Sequence, residues 1–287
     1  MEANGKKLIL VIVAVLCLVV VFFAIQPGTE DQNGDKGQNE FDEQAVATNT
    51  VGQQSSSITV SAASSLTEAF TDIAAAFEAE NPGTDVELSF GGSGTLRMQI
   101  EGGASIDVFA SASESHMNTL SEEGLIEENS RTDFTSNTLV MVVPDSTIES
   151  GNYPQSLEDL TSDNVEKIAI GNPATAPVGK YAEQALEEAG LWDQLGEKLI
   201  YAENVKQVLT YVETGEVEAG FVYRTDAESG RKDLYNITYT VPVNTSISYP
   251  IAVINGSENK ELSQEFVDFV AGSEGQEILN GYGFGEA

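Results

Sequence analysis

Four segments of this chain each pass from a short apolar strand, through small, hydroxyl-bearing or amide residues, into a helix. In the first, Ser61–Phe70, the strand Ile58-Thr59-Val60 leads into a helix whose apolar residues recur at helical spacing. Ser65 followed by Glu68 fits a capping box, which predicts that the helix begins at Ser65. The repeated order of strand and helix predicts an α/β fold.

The other three junctions lie at Gly91–Thr95, Gly171–Gly179 and Glu203-Asn204. We expect Pro177 in the first turn of its helix and Asn204 as an N-cap. A helix start offers unpaired N–H donors and the positive end of the peptide dipole, so it can hold a small anion. Ordinary caps and glycine turns explain each junction equally well when it is taken alone.

A buried strand, Ala219–Tyr223, delivers Tyr223 to its carboxyl end, where the hydroxyl either packs or faces a ligand. Open α/β sheets bind ligands at this edge. The chain has one histidine, His116, and no motif of a hydrolase surrounds it. Neither GxGxxG nor a GK[ST] ending is present, which disfavours dinucleotide and phosphate-loop enzymes.

The chain carries 46 acidic and 13 basic residues, a formal net charge of −33. A nucleic-acid partner is excluded because no basic surface is available to replace phosphate counterions. Such acidity keeps a protein solvated in concentrated salt, which suggests a halophilic source.

An apolar run of 18 residues, Leu8–Ile25, follows Lys6 and Lys7. We expect residues 1–25 to be a membrane anchor, with a cleaved signal peptide as the alternative. The only cysteine, Cys17, follows Leu16, so lipidation is not expected. Residues 26–57 are polar and acidic, which predicts a flexible linker. Three glycosylation sequons suit an exported chain; they begin at Asn236, Asn244 and Asn255.

From Ile58 to the end, the chain resembles the periplasmic molybdate/tungstate-binding proteins of ABC importers. Seven motifs carry the resemblance in order: SAASSL at Ser61–Leu66, FGGSGTL at Phe90–Leu96, GNPATAPVGKYAEQAL at Gly171–Leu186, AENV at Ala202–Val205, GFVYRTDA at Gly220–Ala227, YPIAV at Tyr249–Val253 and YGF at Tyr282–Phe284. The resemblance implies a two-lobe periplasmic-binding-protein type II fold with hinge strands and a central cleft. Lobe I would comprise residues 58–139 and 246–287, and lobe II residues 140–245.

Carried over by motif, the resemblance implies that an oxyanion is held by the hydroxyls and amides of Ser65 and Ser93, the backbone amides of Val178 and Val205, and the Tyr223 hydroxyl. These residues lie at the four strand-to-helix junctions and at the end of the strand Ala219–Tyr223. We expect a four-coordinate anion held by hydrogen bonds alone, with no catalytic residue, no cofactor and no metal ligation by side chains.

The expected partners are molybdate or tungstate and the permease and ATPase subunits of an ABC importer. The globular part would be a monomer on the extracellular face of the cell membrane, held there by the N-terminal segment. Two alternatives stay open on the same scaffold, a sulfate- or phosphate-type carrier and a sensor. An anchored extracellular hydrolase is the alternative from another class, although it lacks a nucleophile and base pair.

Overall fold

The computed structural model describes residues 56–287, which contain two five-stranded sheets with helices packed on them. The strands are β1 Ser56–Ala63, β2 Thr84–Gly91, β3 Val108–Ala110, β4 Thr132–Asn137, β5 Leu139–Pro144, β6 Ile168–Gly171, β7 Leu199–Ala202, β8 Ala219–Tyr223, β9 Tyr235–Thr240 and β10 Ile247–Val253. The helices are α1 Thr67–Glu80, α2 Ser93–Glu101, α3 Glu114–Glu122, α4 Asp145–Glu149, α5 Pro177–Glu188, α6 Trp192–Leu195, α7 Val205–Glu213, α8 Arg224–Ser229, α9 Lys260–Ala271 and α10 Ser273–Gly281.

Each sheet combines a parallel part with an antiparallel part. The first sheet has the order β2-β1-β3-β10-β4, and β1 is parallel to β2 and β3 while β10 is antiparallel to β3 and β4. The second has the order β7-β6-β8-β5-β9, and β6 is parallel to β7 and β8 while β5 is antiparallel to β8 and β9. The carboxyl ends of the parallel strands in each sheet therefore lie at one edge, where ligands bind in α/β proteins.

The chain passes from the first sheet to the second at Thr138, and it returns between Thr240 and Ile247. We call the first sheet with α1, α2, α3, α9 and α10 lobe I, and the second with α4, α5, α7 and α8 lobe II. The predicted boundary at 245/246 lies in the second crossing, and the one at 139/140 lies one residue into β5. As domain boundaries they stay predictions.

Aromatic rings fix α1 against α9 in lobe I. The Phe77 ring meets the rings of Phe266 and Phe269 edge-on, with centroids 5.3 and 5.5 Å apart. The Phe70 ring lies 5.8 Å from that of Phe134 on β4. Such pairs contribute about 0.5–1.5 kcal/mol beyond their area burial, so the start of α1 has a defined position on the sheet.

The predicted capping box at Ser65 is wrong. Ser65 lies in a 3₁₀ turn, Ser64–Leu66, and α1 begins at Thr67 without a side-chain cap. The Ser65 hydroxyl contacts Tyr249 and the Glu68 carboxylate binds Lys206, so both groups have distant partners instead of the helix start. The other two expectations are confirmed: Pro177 is the first residue of α5, and the Asn204 side chain accepts a hydrogen bond from Gln207 N–H at 3.1 Å.

The predicted anchor and nearly all of the predicted linker lie outside the described residues. Among the helices between Ser56 and Ala287, none has the length and apolar character that a membrane span requires.

Gly179 near the start of α5 is required by close packing against β6. A Cβ atom at this position would lie 1.9 Å from the carbonyl oxygen of Gly171 and 2.4 Å from its carbonyl carbon. Because those atoms are backbone, Gly179→Ala must push α5 away from the sheet. We expect a loss of about 1–3 kcal/mol in the free energy of unfolding, measured by thermal or urea denaturation of the full chain.

Gly196 provides the control for this prediction. It is exposed, it has helical backbone angles, and a Cβ there would meet nothing within 4 Å. Gly196→Ala should leave the free energy of unfolding within about 0.5 kcal/mol of wild type. Equal stability of the two variants would contradict the packing argument.

Candidate functional site

The five residues predicted to bind an anion line a single cavity between the lobes. The cavity has ≈ 10 Å³ of room for water, about one molecule. Its lining residues are Ala63, Ser64, Ser65, Gly91, Gly92, Ser93, Ala112, Ala176, Pro177, Val178, Asn204, Val205 and Tyr223. The four strand-to-helix junctions and the end of β8 thus meet at one point, which their positions in the sequence do not reveal. As anion ligands the five residues stay a prediction.

The Ser93 hydroxyl is oriented by a backbone amide. Ser93 is fully buried, and its Oγ accepts a hydrogen bond from Ala112 N–H at 3.0 Å. Since this bond uses a lone pair of the oxygen, the hydroxyl proton is left to be donated to another acceptor. Ala112 also lines the cavity, so the bond holds the hydroxyl at the cavity wall.

The Ser65 hydroxyl is oriented by a relay of side chains from both crossings between the lobes. Thr138 N–H donates to Asn137 Oδ1 at 2.8 Å, which directs the Asn137 amide N–H to the Tyr249 hydroxyl at 3.2 Å. The Tyr249 hydroxyl and Ser65 Oγ lie 3.0 Å apart, and either can donate this hydrogen bond. When Tyr249 donates it, Ser65 keeps its own proton for an acceptor in the cavity.

Asn137 and Tyr249 were missed in the sequence-based prediction of the site. Tyr249 belongs to the YPIAV motif, which carried the resemblance but received no role in the site. It is fully buried, and burial raises the pKa of its phenol well above the usual value. The relay is therefore built from neutral groups at any pH at which the protein is studied.

Among the described residues the Tyr223 hydroxyl makes no hydrogen bond of normal geometry, although the Tyr249 hydroxyl is near enough to contribute to its raised pKa. Its side chain is 1% exposed, and its ring packs edge-on against that of Tyr249 with the centroids 5.9 Å apart. Burial raises the pKa of Tyr223 well above the usual value, so the hydroxyl keeps its proton. A buried hydroxyl without a partner costs about 1–3 kcal/mol, and a bound acceptor would remove that cost.

The starts of α5 and α7 present backbone amides to the cavity. Val178 is the second residue of α5 and Val205 is the first residue of α7. N–H groups in the first turn of a helix precede the first intrahelical hydrogen bond, and they carry the positive end of the helix dipole. Both helices therefore favour a negative charge in the cavity.

An ion-pair network joins the two lobes at the side of the cavity. Lys206 on α7 places its ammonium 2.9 and 2.7 Å from the carboxylate oxygens of Glu68 on α1, and 3.0 Å from Asp226 Oδ1 on α8. Asp226 is fully buried, and burial raises its pKa to about 6 although Lys206 acts in the opposite direction. None of these three side chains lines the cavity.

No ionisable acid, histidine, cysteine or lysine is among the residues that line the cavity. His116 lies on α3, away from the cavity, and its pKa is lowered to about 4 by burial and by the charge of Arg97. Acid–base or nucleophilic catalysis needs such groups in contact with a substrate. The arrangement is suited to binding an anion by hydrogen bonds.

Residues 58–285 match the family described as bacterial extracellular solute-binding protein. The molybdate-binding protein ModA of Escherichia coli strain K12 is 37% identical over 241 residues, which are 84% of this chain and 93% of the relative. Among solved structures, the periplasmic molybdate-binding protein of Azotobacter vinelandii superposes with a TM-score of 0.68 at 24% identity, covering 79% of this chain and 98% of that one.

The sulfate-binding protein SubI of Mycobacterium tuberculosis superposes with a TM-score of 0.70 at 16% identity, covering 80% of this chain and 86% of that one. These two structural likenesses show the fold, and the predicted periplasmic-binding-protein architecture is confirmed. The match spans nearly all of the described residues, and the E. coli relative is similar over most of its own length. The chain belongs to the bacterial extracellular solute-binding protein family.

Proposed function

We propose that this chain captures molybdate or tungstate outside the cytoplasmic membrane and delivers it to an ABC importer. The observation that carries the proposal is the cavity between the lobes whose polar side chains are all neutral, with the Tyr223 hydroxyl unpaired among the described residues. A tetrahedral dianion has four oxygens that only accept hydrogen bonds, so it complements such a lining. The E. coli relative named for molybdate binding supports the choice of ion.

The proposed ligands are the hydroxyls and amides of Ser65 and Ser93, the amides of Val178 and Val205, and the Tyr223 hydroxyl. Hydrogen bonds to a charged group contribute about 1.5–3 kcal/mol each. Five of them, less the cost of bringing two lobes together, are sufficient for the roughly 8 kcal/mol of micromolar binding. The anion is coordinated through its own oxygens, and no side chain ligates the metal directly.

The cavity's size excludes a large organic ligand. Pockets that hold drug-sized organic ligands usually span about 300–1,000 Å³, whereas this cavity has ≈ 10 Å³ of room for water, about one molecule. A sugar or a peptide does not fit without separation of the lobes. A sulfate-type carrier is the second candidate, favoured by the shared fold with the sulfate-binding protein of M. tuberculosis.

In this proposal the chain acts as a binding protein and not as an enzyme. Lobe I, residues 58–139 and 246–287, and lobe II, residues 140–245, close on the anion, and the closed form is presented to the permease and ATPase subunits. Residues 1–25 anchor a monomer in the cell membrane, and the acidic segment 26–57 tethers the lobes on the extracellular face. The lysine pair before the apolar run supports this orientation.

Tyr223→Phe tests the unpaired hydroxyl, because stability and affinity should respond differently. Removal of a buried hydroxyl without a partner should leave the melting temperature of the anion-free chain unchanged or higher. Affinity for molybdate, measured by calorimetry, should fall by about 1 kcal/mol, roughly fivefold. Unchanged affinity would place the Tyr223 hydroxyl outside the anion site.

Tyr235→Phe is the matched control. The Tyr235 hydroxyl donates to the carbonyl oxygen of Ala227 at 3.0 Å, and Tyr235 does not line the cavity. This variant should lose about 1 kcal/mol of stability and bind molybdate as wild type does.

Selectivity among anions tests the donor-only lining. Near neutral pH phosphate carries at least one proton, and that O–H needs an acceptor, so we expect a penalty of about 1–3 kcal/mol against phosphate. Sulfate matches the hydrogen-bond pattern but has shorter bonds, so donors spaced for molybdate would be stretched. In competition calorimetry the expected order is molybdate and tungstate, then sulfate, then phosphate.

Two outcomes would contradict this proposal in different ways. Displacement of molybdate by an equal concentration of phosphate would show that the cavity contains an acceptor. Absence of titration heat with every tetrahedral anion at millimolar concentration would show that the cavity is not an oxyanion site.

A further inference from the structure

Two glycines of lobe I lie against the backbone of lobe II beside the cavity. A Cβ atom on Gly94 would lie 2.7 Å from Thr175 Cα, 2.9 Å from its carbonyl oxygen and 3.1 Å from the carbonyl oxygen of Ala174. A Cβ atom on Gly92 would lie 2.8 Å from the carbonyl oxygens of both Thr175 and Glu203. Real Cβ atoms essentially never approach closer than 3.0 Å. Any other residue at 92 or 94 would therefore prevent this contact.

Backbone conformation does not explain these glycines. Gly92 has φ −64° and ψ 133°, which any residue adopts, and Gly94 lies within the helix α2. The glycines with positive φ among the described residues are at other positions, such as Gly83 and Gly103. Glycine within a helix costs about 1 kcal/mol relative to alanine, so Gly94 lowers the local stability of α2. The close approach of lobe II provides the compensating reason.

A direct hydrogen bond marks the same contact. Gly94 N–H donates to the carbonyl oxygen of Thr175 across the two lobes at 2.8 Å. The loop that carries this oxygen is itself held, since the N–H groups of Thr175 and Ala176 donate to the carbonyl oxygen of Asn172 at 3.0 and 2.8 Å. Asn172 N–H in turn donates to Ala202. A side chain at 94 would meet this braced backbone, so the lobes would separate before the loop gave way.

We propose that Gly92 and Gly94 are positioning residues for closure, because their missing side chains let α2 of lobe I dock on the lobe II backbone and seal the anion cavity. The inference rests on the proposed function. Gly94 does not line the cavity, so its role is separate from contact with the anion. A Cβ at 94 should hold the lobes apart and leave each lobe folded.

The test measures closure and binding in the same chain. Met98 on α2 and Tyr201 on β7 are 46% and 50% exposed and lie in different lobes, so Met98→Cys and Tyr201→Cys can carry spin labels in a Cys17→Ser background. Distances between the labels are measured with and without sodium molybdate. In the otherwise wild-type chain, molybdate should increase the population with the shorter distance.

With Gly94→Ala added, the shorter distance should disappear, and molybdate affinity by calorimetry should fall at least tenfold. The melting temperature of the anion-free chain should be unchanged or raised by about 2–4 °C, since the open lobes do not make this contact and alanine favours the helix. If Gly94→Ala lowers that temperature, Gly92→Ala tests the neighbouring contact through the label distances alone, because Gly92 also lines the cavity. Affinity within twofold of wild type, with closure intact, would overturn the inference.

Gly102→Ala is the matched control, at the opposite end of the same helix. Gly102 is exposed, has φ −75°, and a Cβ there would meet only carbonyl oxygens of α2 itself, at 3.3 and 3.4 Å. It should close and bind as wild type. A wild-type chain without a short-distance population in either condition overturns the closure inference. A wild-type chain that shows the short-distance population but releases no heat on titration with molybdate overturns the proposed function alone.

Discussion

Unpaired hydrogen-bond donors, buried where two sheets face each other, are the constraint on which the rest of the site depends. Parallel strands leave their carboxyl ends at one edge of a sheet, and the helices that follow begin there. The starts of α2, α5 and α7 consequently point at a shared cavity. Buried donors cost free energy until an acceptor arrives, and their dipoles favour a negative one. The unpaired donors and the helix dipoles thus favour an anion in the cavity before any ligand is present.

The two crossings between the lobes also supply side chains that hydrogen-bond near the Ser65 hydroxyl. Asn137 ends the strand before the first crossing, and Tyr249 lies on the strand after the second. Their hydrogen bond places the orientation of the Ser65 hydroxyl under the control of both segments. A rotation of the lobes about these segments would therefore act on a ligand group directly.

Local patterns were sufficient for the strand-to-helix junctions, the Asn204 cap and the position of Pro177. The motifs that carry the family resemblance also predicted which five residues come together. The hydrogen-bond partners of those residues could not be predicted, because Ser65 and Tyr249 are 184 positions apart and no local spacing encodes their contact. The same reason explains the wrong capping box, in which Ser65 and Glu68 have distant partners instead of the helix start. Gly92 and Gly94 appeared as turn residues until the facing lobe was known.

A chain of formal charge −33 must bind a dianion against its own field. Lys206 does not supply the attraction, because its ammonium is already paired with Glu68 in lobe I and Asp226 in lobe II. Its charge holds the lobes together instead. At physiological salt, charges beyond about 8 Å are largely screened, so the distant carboxylates lose most of their influence on the cavity. Neutral donors at contact distance are screened far less than exposed ion pairs. An anion site built from amides and hydroxyls consequently suits an acidic protein, since it does not depend on a basic surface that the chain lacks.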